Sequence, residues 1–430
     1  MAARKHHRIA LVCGVGVASL AAWSCAAIVG VEDVRLRSRD AAQLDEEEIP
    51  EDSPSTNDVV TPPPENVLTV ALGRLHTCAR KTDFTVRCWG DDAVGQLGSG
   101  GVGADGGAAV TPVVAGVKDA IAIAAGDRHT CVVLKDNSMK CWGQNQDGQL
   151  GNGQSNTSAS TPVNVSNVTN AIAVACGSTF TCALRTNGKV ACWGDGLAGQ
   201  LGTGTKASSN TAVEVKNLDN VIAISAGEAH ACAVKSNGTA VCWGDNANGQ
   251  LGTGSLSPSQ SADPIAVVTL DDVAQVAAAQ RSTCARKKGG GVLCWGANEL
   301  GQLGTGTASA SPISTPSIVS GLDVSMIWAG ATHACAVSKS NTTKGAVLCW
   351  GSGGLGQIGD GQTRDAGSAT PVPTRVNGIT NAIGVGTGGE HSCAPASTGT
   401  IQCWGDNGRG QIGNNKTGQE NSPEGVIGFP

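Results

Sequence analysis

Cysteine is the residue type most able to do chemistry in this chain, because most of its cysteines recur in pairs. Fourteen of the 17 cysteines form seven pairs, six of them ten residues apart and one 14 residues apart. The pairs are Cys78 with Cys88, Cys131 with Cys141, Cys182 with Cys192, Cys232 with Cys242, Cys284 with Cys294, Cys335 with Cys349, and Cys393 with Cys403. They could hold metal ions or form disulfides, but zinc sites favour cysteines separated by about two to four residues. The spacing therefore favours one disulfide per pair, provided that the chain is exported to an oxidising compartment.

The histidines are the second candidate for metal or catalytic chemistry. Five of them stand two residues before the first cysteine of a pair, namely His76, His129, His230, His333 and His391. Such a set could form a metal-binding ring, but a residue repeated from unit to unit is more often structural, with a hydrogen bond to its own turn. No nucleophile–base signature or carboxylate pair stands out from the repeats. We therefore predict no catalytic residue, no metal site and no cofactor.

A repeated unit surrounds each cysteine pair and must position it. The later cysteine of every pair begins the tripeptide Cys-Trp-Gly, which recurs every 50 to 55 residues and is followed by Gly-Gln-Leu-Gly or Gly-Gln-Ile-Gly. The chain holds 61 glycines and no tyrosine, a composition typical of short strands joined by tight turns. Seven tandem copies of this length predict an all-β, seven-bladed β-propeller of four-stranded antiparallel blades.

The third unit shows how strands would bring two cysteines together. In this unit we predict strands at 171–175, 179–184, 189–193 and 211–215. A three-residue loop at 186–188 ends in glycine, the residue type that suits its left-handed last position. This loop places Cys182 opposite Cys192, and the Cα atoms of directly opposed strand residues lie about 4.5–5.5 Å apart, within disulfide range. We therefore predict one disulfide within each blade; the longer sixth pair keeps the same facing register.

Proline marks the predicted fourth strand as the outer edge of its blade. In six units that strand opens with a proline, namely Pro112, Pro162, Pro264, Pro316, Pro371 or Pro423. Proline has no N–H to give to a neighbouring strand and is confined to sheet edges and strand starts. Seven complete units, each ending in a fourth strand, fit between residues 67 and 430.

The N-terminal segment is typical of a targeting signal. Arg4, Lys5 and Arg8 precede an uncharged stretch over 9–31,. Cys25 follows a small residue in a segment that resembles the signal of bacterial lipoproteins, so lipid attachment to Cys25 is the favoured interpretation. An uncleaved membrane anchor and simple cleavage nearby stay open as alternatives. All three place the bulk of the chain outside the cytoplasm.

Composition divides the chain into three parts. Residues 1–25 form the predicted signal, and 26–66 form an acidic, proline-rich segment with too few apolar residues to fold, which we predict to be a disordered tether,. The predicted propeller follows over 67–430. The formal net charge of the chain is −6, and without a basic surplus we expect no nucleic-acid partner.

The unit resembles the repeat of the regulator of chromosome condensation family. In the fourth unit the resemblance is carried by GEAHAC at 227–232, CWG at 242–244 and GQLGTG at 249–254. The resemblance implies a seven-bladed propeller. The nuclear member of the family is a guanine-nucleotide exchange factor, but the paired cysteines and the export signal depart from it, so that activity is not carried over. Secreted bacterial propellers of this class resemble protein-binding platforms instead.

Function is expected where the units differ, because shared positions serve the fold. The most variable segments follow Gly-Gln-Leu-Gly and are predicted to connect the third strand to the fourth on one face, as a binding rim or as solvated connections. They cover 99–110, 152–160, 203–210, 253–263, 305–314, 360–369 and 414–422. Two single residues also break the repeat. Cys176 replaces an inner-strand alanine and is predicted to be a small buried thiol, whereas Trp328 either packs or caps the central channel.

The favoured function is a membrane-anchored, monomeric propeller of the cell envelope or surface that binds a protein or peptide and is not a catalyst. The alternatives are a carbohydrate-binding or structural cell-surface protein, a hydrolytic propeller and a guanine-nucleotide exchange factor. Sugar sites favour exposed aromatic side chains, which are scarce here, and only 3% of the residues are aromatic. Hydrolysis would need acidic or histidine side chains clustered on one rim, and the charged loop residues show no such pattern.

Overall fold

A computed structural model describes residues 67–103 and 113–429. The predicted signal over 1–25, with Cys25, and the predicted tether over 26–66 lie outside the described residues. Part of the first variable segment lies outside them as well. These assignments stay predictions.

The described strands fall into seven blades, one for each sequence unit. Blade 1 contains β1 (Val67–Leu72), β2 (His76–Lys81) and β3 (Val86–Gly90), and blade 2 contains β4 (Ala120–Ala125), β5 (His129–Leu134), β6 (Met139–Gly143) and β7 (Ala159–Asn164). Blade 3 contains β8 (Ala171–Cys176), β9 (Phe180–Arg185), β10 (Val190–Gly194) and β11 (Ser209–Glu214), and blade 4 contains β12 (Val221–Ala226), β13 (His230–Lys235), β14 (Ala240–Asp245) and β15 (Gln260–Ala266). Blade 5 contains β16 (Val273–Ala278), β17 (Ser282–Lys287), β18 (Val292–Asn298) and β19 (Ser309–Val319), and blade 6 contains β20 (Val324–Ala329), β21 (His333–Ser338), β22 (Val347–Ser352) and β23 (Ala369–Arg375). Blade 7 contains β24 (Gly386–Thr387), β25 (His391–Pro395), β26 (Ile401–Gly405) and β27 (Glu420–Gly425).

Each blade is an antiparallel sheet whose strands follow one another in sequence order. Six sheets have four strands, and blade 1 has three within the described residues. The first strands of neighbouring blades contact one another around the axis, so each sheet runs outward from its first strand to its fourth. The predicted seven-bladed propeller is confirmed, and the four strands predicted in the third unit match β8 to β11 to within two residues.

The prolines lie inside the fourth strand, so the prediction that they open it is wrong. In blade 2 the ladder pairs Cys141 with Val163 and Gly143 with Ala159, and Pro162 lies in the bulge between these pairs. Pro264, Pro316 and Pro423 occupy the same place in their blades. A bulge leaves a residue unpaired, so the missing N–H costs no ladder bond there. In blade 6 this place belongs to Pro373, two residues after Pro371, and Pro112 lies outside the described residues.

The core lies in the seams between blades. The tryptophan of every Cys-Trp-Gly is fully buried, and its Nε1 donates to the carbonyl of the Gly-Gln-Leu-Gly or Gly-Gln-Ile-Gly glutamine in the preceding blade at 2.9–3.1 Å. In the last of these seams Trp89 of blade 1 donates to Gln411 of blade 7. Each indole buries about 200 Å², which stabilises the fold by at most about 5 kcal/mol.

Candidate functional site

The paired cysteines form one disulfide in every blade. Each pair lies directly opposed on the second and third strands, with Cα atoms 4.0–4.1 Å apart, and the longer sixth pair keeps this register. The predicted intrablade disulfides are confirmed, and because all fourteen cysteines are buried, they serve the blades rather than an exposed site. In order from blade 1 to blade 7, the disulfides join Cys78 to Cys88, Cys131 to Cys141, Cys182 to Cys192, Cys232 to Cys242, Cys284 to Cys294, Cys335 to Cys349, and Cys393 to Cys403.

The repeated histidines hold neighbouring blades together. Thr130 Oγ1 donates to the Gln96 carbonyl at 3.1 Å, so it accepts the 2.9 Å hydrogen bond from His76 Nε2. The same bond from one blade to the next is made by His129, His230, His333 and His391 at 2.7–2.9 Å. The structural interpretation is correct, but the expected bond to the histidine's own turn is wrong. The partner is the hydroxyl that precedes the first cysteine of the next unit.

Burial keeps these histidines neutral, and their positions in different seams keep them apart. Burial lowers the pKa of His129 to about 4 and that of the other four to about 3. Each histidine lies in its own seam, so the structure does not bring the five into one metal-binding ring. The Nδ1 atom of every one of them is buried without a hydrogen-bond partner.

Cys176 is the free thiol predicted to be buried, and the structure places it in β8 at 9% exposure. Its Sγ lies within 4.8 Å of ligand atoms of His129 and Cys131. Cys131 is bonded to Cys141, so this group does not offer three free metal ligands. Burial also raises the pKa of the Cys176 thiol to about 12, which keeps it protonated,.

One end of the propeller carries what we call the turn face. It comprises the turns between first and second strands (73–75, 126–128, 177–179, 227–229, 279–281, 330–332 and 388–390) and the residues that follow each Cys-Trp-Gly. In every blade the residue after Cys-Trp-Gly donates its N–H to a carbonyl of the adjacent turn at 2.8–3.0 Å, as Asp91 does to Leu75. The hairpins between second and third strands lie at the opposite end, the hairpin face.

Glutamine side chains order the carboxylates of the turn face. Asp91, Asp195, Asp245 and Asp406 each accept a hydrogen bond at 2.6–2.8 Å from the glutamine of their own Gly-Gln-Leu-Gly or Gly-Gln-Ile-Gly run. The same glutamines accept an N–H two residues upstream, as Gln96 does from Val94. Sequence reasoning missed this role, although the recurrence of glutamine in all seven units was a signal for it.

Three further carboxyl groups surround the axis on this face. They belong to Asp127, Glu228 and Glu390, and partial burial raises the pKa of each. Arg74 partly offsets that rise for Asp127 and for Glu390. Raised carboxyl pKa values at a concave surface are typical of binding sites as well as of structural networks.

The variable segments begin in the seams. The glycine two residues after Gly-Gln-Leu-Gly or Gly-Gln-Ile-Gly donates its N–H to the fourth strand of the next blade at 2.8–3.0 Å. The pairs are Gly100–Ser160, Gly153–Asn210, Gly204–Ala262, Gly254–Ser314, Gly306–Pro371 and Gly361–Asn421. The chain then returns to the turn face, where Asn156 N–H bonds to the Asn145 carbonyl at 2.8 Å. The described segments therefore connect third to fourth strands at the turn face, as predicted.

An axial cavity of about 560 Å³ opens among the first strands and their turns. Alanine and glycine form much of its wall, and Asp127, Glu228 and Glu390 belong to its lining. Trp328 lines it as well, half-buried and packed against the apolar cluster between blades 6 and 7. The described residues contain no helix that is long and apolar enough to cross a membrane.

Known proteins share this fold and this repeat. The human E3 ubiquitin-protein ligase HERC2 is 28% identical over 85% of the chain, which covers 6% of that protein, and human HERC6 is 28% identical over 70% of the chain, which covers 25% of that protein. The chain thus spans a quarter or less of these relatives. The ultraviolet-B receptor UVR8 of Arabidopsis thaliana is 30% identical over 85% of this chain and 83% of its own length.

Solved structures agree on the fold. Prp20p of Saccharomyces cerevisiae superposes with a TM-score of 0.69 at 20% identity, covering 84% of this chain and 87% of its own. Human WBSCR16 gives 0.67 at 23% identity, covering 80% and 96%. The family model for the RCC1-like domain matches residues 85–428, and that for the regulator of chromosome condensation (RCC1) repeat matches 67–96. The chain therefore belongs to the RCC1-like domain family.

Proposed function

We propose that this chain is a membrane-anchored propeller of the cell envelope whose turn face binds a protein or a peptide, and that it is not a catalyst. Membership of the RCC1-like propeller family supports a protein-binding role in general. The Prp20p structures are described with binding to Gsp1p and histones, and with Kap60 bound. Those partners belong to Prp20p; what this chain would bind is a question for its own turn face.

The observation that carries the proposal is the contrast between framework and surface on the turn face. The same backbone bond from the residue after Cys-Trp-Gly to the turn recurs in all seven blades. At the second position of those turns the blades carry seven different residues: Arg74, Asp127, Ser178, Glu228, Gln280, Ala331 and Gly389. A rigid ring that carries a different residue in each blade suits recognition of an irregular partner surface.

The position of Val67 agrees with a membrane anchor attached at the hairpin face, opposite the turn face. Val67, the first described residue, pairs with Lys81, which is the last residue of β2 next to the hairpin. The preceding 66 residues therefore join the propeller at the hairpin face. An anchor at the N-terminus would therefore leave the turn face free.

Binding is tested by affinity capture from envelope extracts with the full, oxidised chain. A matched variant combines Arg74→Ser, Asp127→Ser and Gln280→Ser, because Ser178 shows that serine fits this place in the turn. Lys140→Ser, in β6 beside the hairpin and away from the turn face, serves as the control. We expect a protein retained by the wild type and the control and lost from the triple variant. Equal retention by all three, or retention of glycans alone, would reject the protein-binding role in favour of a sugar-binding or structural one.

Anchoring is tested separately, by cell fractionation and labelling with a radioactive fatty acid in bacterial cells. We expect the wild type in the membrane fraction with label, and Cys25→Ser without label. A label that is unchanged in Cys25→Ser would reject lipid attachment at this residue. Recovery of the wild type in the cytoplasm with reduced cysteines would reject export altogether.

A further inference from the structure

The axial cavity has one sector that differs from the rest of its wall. Its volume of about 560 Å³ is in the range of small-molecule sites,. Around most of the axis the first strands present alanine, as Ala71, Ala124 and Ala175 do. Blades 5 and 6 also contribute Gln275 and Trp328, and Glu228 lies at the mouth in the turn of blade 4, together with Asp127 and Glu390.

Trp328 leaves part of its indole open to the cavity. The tryptophans of the seven Cys-Trp-Gly runs are fully buried, whereas Trp328 is half-buried. Its strand is fixed from the neighbouring blade, because Gln275 Nε2 donates to the Ile327 carbonyl at 2.7 Å and Gln275 Oε1 accepts the Ile327 N–H at 3.1 Å. An aromatic face held rigidly against a water-filled space is unfavourable by itself and favourable beneath an apolar or cationic ligand.

At the cavity mouth, Glu228 is the carboxyl group whose negative charge is least offset by nearby positive charge. Its pKa is raised by burial and then by Asp127 and Asp245, and among the charged groups that act on it only Arg281 opposes this rise. Arg74, by contrast, favours the charged forms of Asp127 and Glu390. An additional positive charge at Glu228 would therefore relieve repulsion among three carboxylates.

We propose that the axial cavity binds a small organic cation, with its ammonium group at Glu228 and its aromatic or aliphatic body against Trp328. The site shares Glu228 with the turn face, but a small cation binds without a protein partner, so its test does not depend on the proposed protein binding. The apolar wall selects the body of the ligand, and the carboxylates at the mouth select its charge.

Calorimetric titration of the full chain with phenethylammonium tests the proposal. The uncharged 2-phenylethanol, which has nearly the same shape, is the matched probe. We expect saturable binding of the cation with one site per chain and binding of the alcohol that is at least about tenfold weaker. Equal affinity for phenethylammonium and 2-phenylethanol would overturn the proposal. Hexylammonium tests an aliphatic body in the same way, and the proposal also fails if both cations show no saturable binding at millimolar concentration.

Variants separate the two contacts. Glu228→Gln should weaken the cation about fivefold or more and leave the alcohol unchanged, because it removes the charge and little else. Trp328→Ala should weaken both probes, and Trp328→Phe, which keeps an aromatic ring, should restore most of the affinity of the cation. Glu299→Gln, on the turn face outside the cavity, is the control. The proposal fails if Glu228→Gln behaves like this control, and unchanged thermal unfolding of each variant excludes loss of fold as the cause.

Discussion

Replacing His230 with phenylalanine should make the propeller more resistant to acid. Burial lowers the pKa of His230 to about 3, whereas an unfolded histidine has a pKa of about 6.5. Phe180 occupies the equivalent place in blade 3 and is fully buried there beside Ala231, so a slot of this kind holds a phenyl ring, although His230 faces Thr283 instead of alanine. Thr283 loses the His230 bond but still donates to the Gln250 carbonyl at 2.8 Å, so no donor is left unsatisfied.

The magnitude follows from proton linkage. Between pH 6.5 and pH 3 the unfolded chain binds a proton at this histidine and the folded chain does not, so stability is lost as pH falls through that window. At pH 4.5 the loss for His230 is about 2.7 kcal/mol, since each pH unit below 6.5 costs about 1.36 kcal/mol. Above pH 6.5 there is no loss. His230→Phe should therefore be nearly neutral at pH 7.5 and more stable than the wild type by about 2–3 kcal/mol at pH 4.5.

Urea unfolding of the full, oxidised chain, followed by tryptophan fluorescence at both pH values, measures the difference. The raised carboxyl pKa values of Asp127, Glu228 and Glu390 favour the folded chain as pH falls, but they are common to both proteins and cancel in the comparison. His230→Ala is the control, because it removes the same titration and leaves a cavity that costs stability at both pH values. The reasoning would be refuted if His230→Phe and the wild type lost equal stability between pH 7.5 and pH 4.5.

Three further predictions concern the seams, the disulfides and the outer strand. Gly202 has a φ of +67°, and an added Cβ would lie 2.8 Å from Val215, so Gly202→Ala should lower the free energy of unfolding by more than about 2 kcal/mol,. Gly116 has a φ of +76° but open space around it, so Gly116→Ala should lower the free energy of unfolding by about 1 kcal/mol,. Urea unfolding measures both. Replacing Cys182 and Cys192 together with alanine should lower the free energy of unfolding by about 3 kcal/mol, the value for a loop of this length, and an unchanged midpoint would contradict it. Ala212→Pro should raise the free energy of unfolding by up to about 1 kcal/mol, because proline already occupies this bulge position in other blades,. A lower unfolding temperature for this variant would show that β11 differs from the other fourth strands.

The sequence predicted what is repeated within one unit. The spacing of Cys182 and Cys192 and the glycine at Gly188 determine a hairpin register by local geometry alone, and the structure pairs these cysteines as expected. Gly188 adopts the positive φ of +73° that the three-residue loop requires. Seven repetitions then determine the number of blades, because each unit buries its apolar face only against its neighbours.

Contacts between units were harder to predict, because they join residues about 50 positions apart with no local pattern. The bond from His129 to Thr181 spans 52 residues, and sequence reasoning assigned the histidine to its own turn. The prediction of the proline position was wrong for a related reason. Pro162 reads as a strand start, but the bulge that accommodates it depends on how β7 meets β6. The candidate cavity was only hinted at by Trp328, since its depth and the direction of that side chain follow from closure of the whole ring.

Closure itself has a consequence for how the two ends of the chain are joined. Blade 7 takes all four of its strands from one continuous stretch, from β24 to β27, so among the described strands none from blade 1 is part of its sheet. First and last blades meet through the apolar cluster around Trp89 and through hydrogen bonds such as those of Thr77 with His391 and Gly389 with Gly73. The ring is thus closed by contacts between blades 7 and 1 and not by a sheet that both ends share. Opening of the ring at this joint would therefore break no sheet ladder and no disulfide.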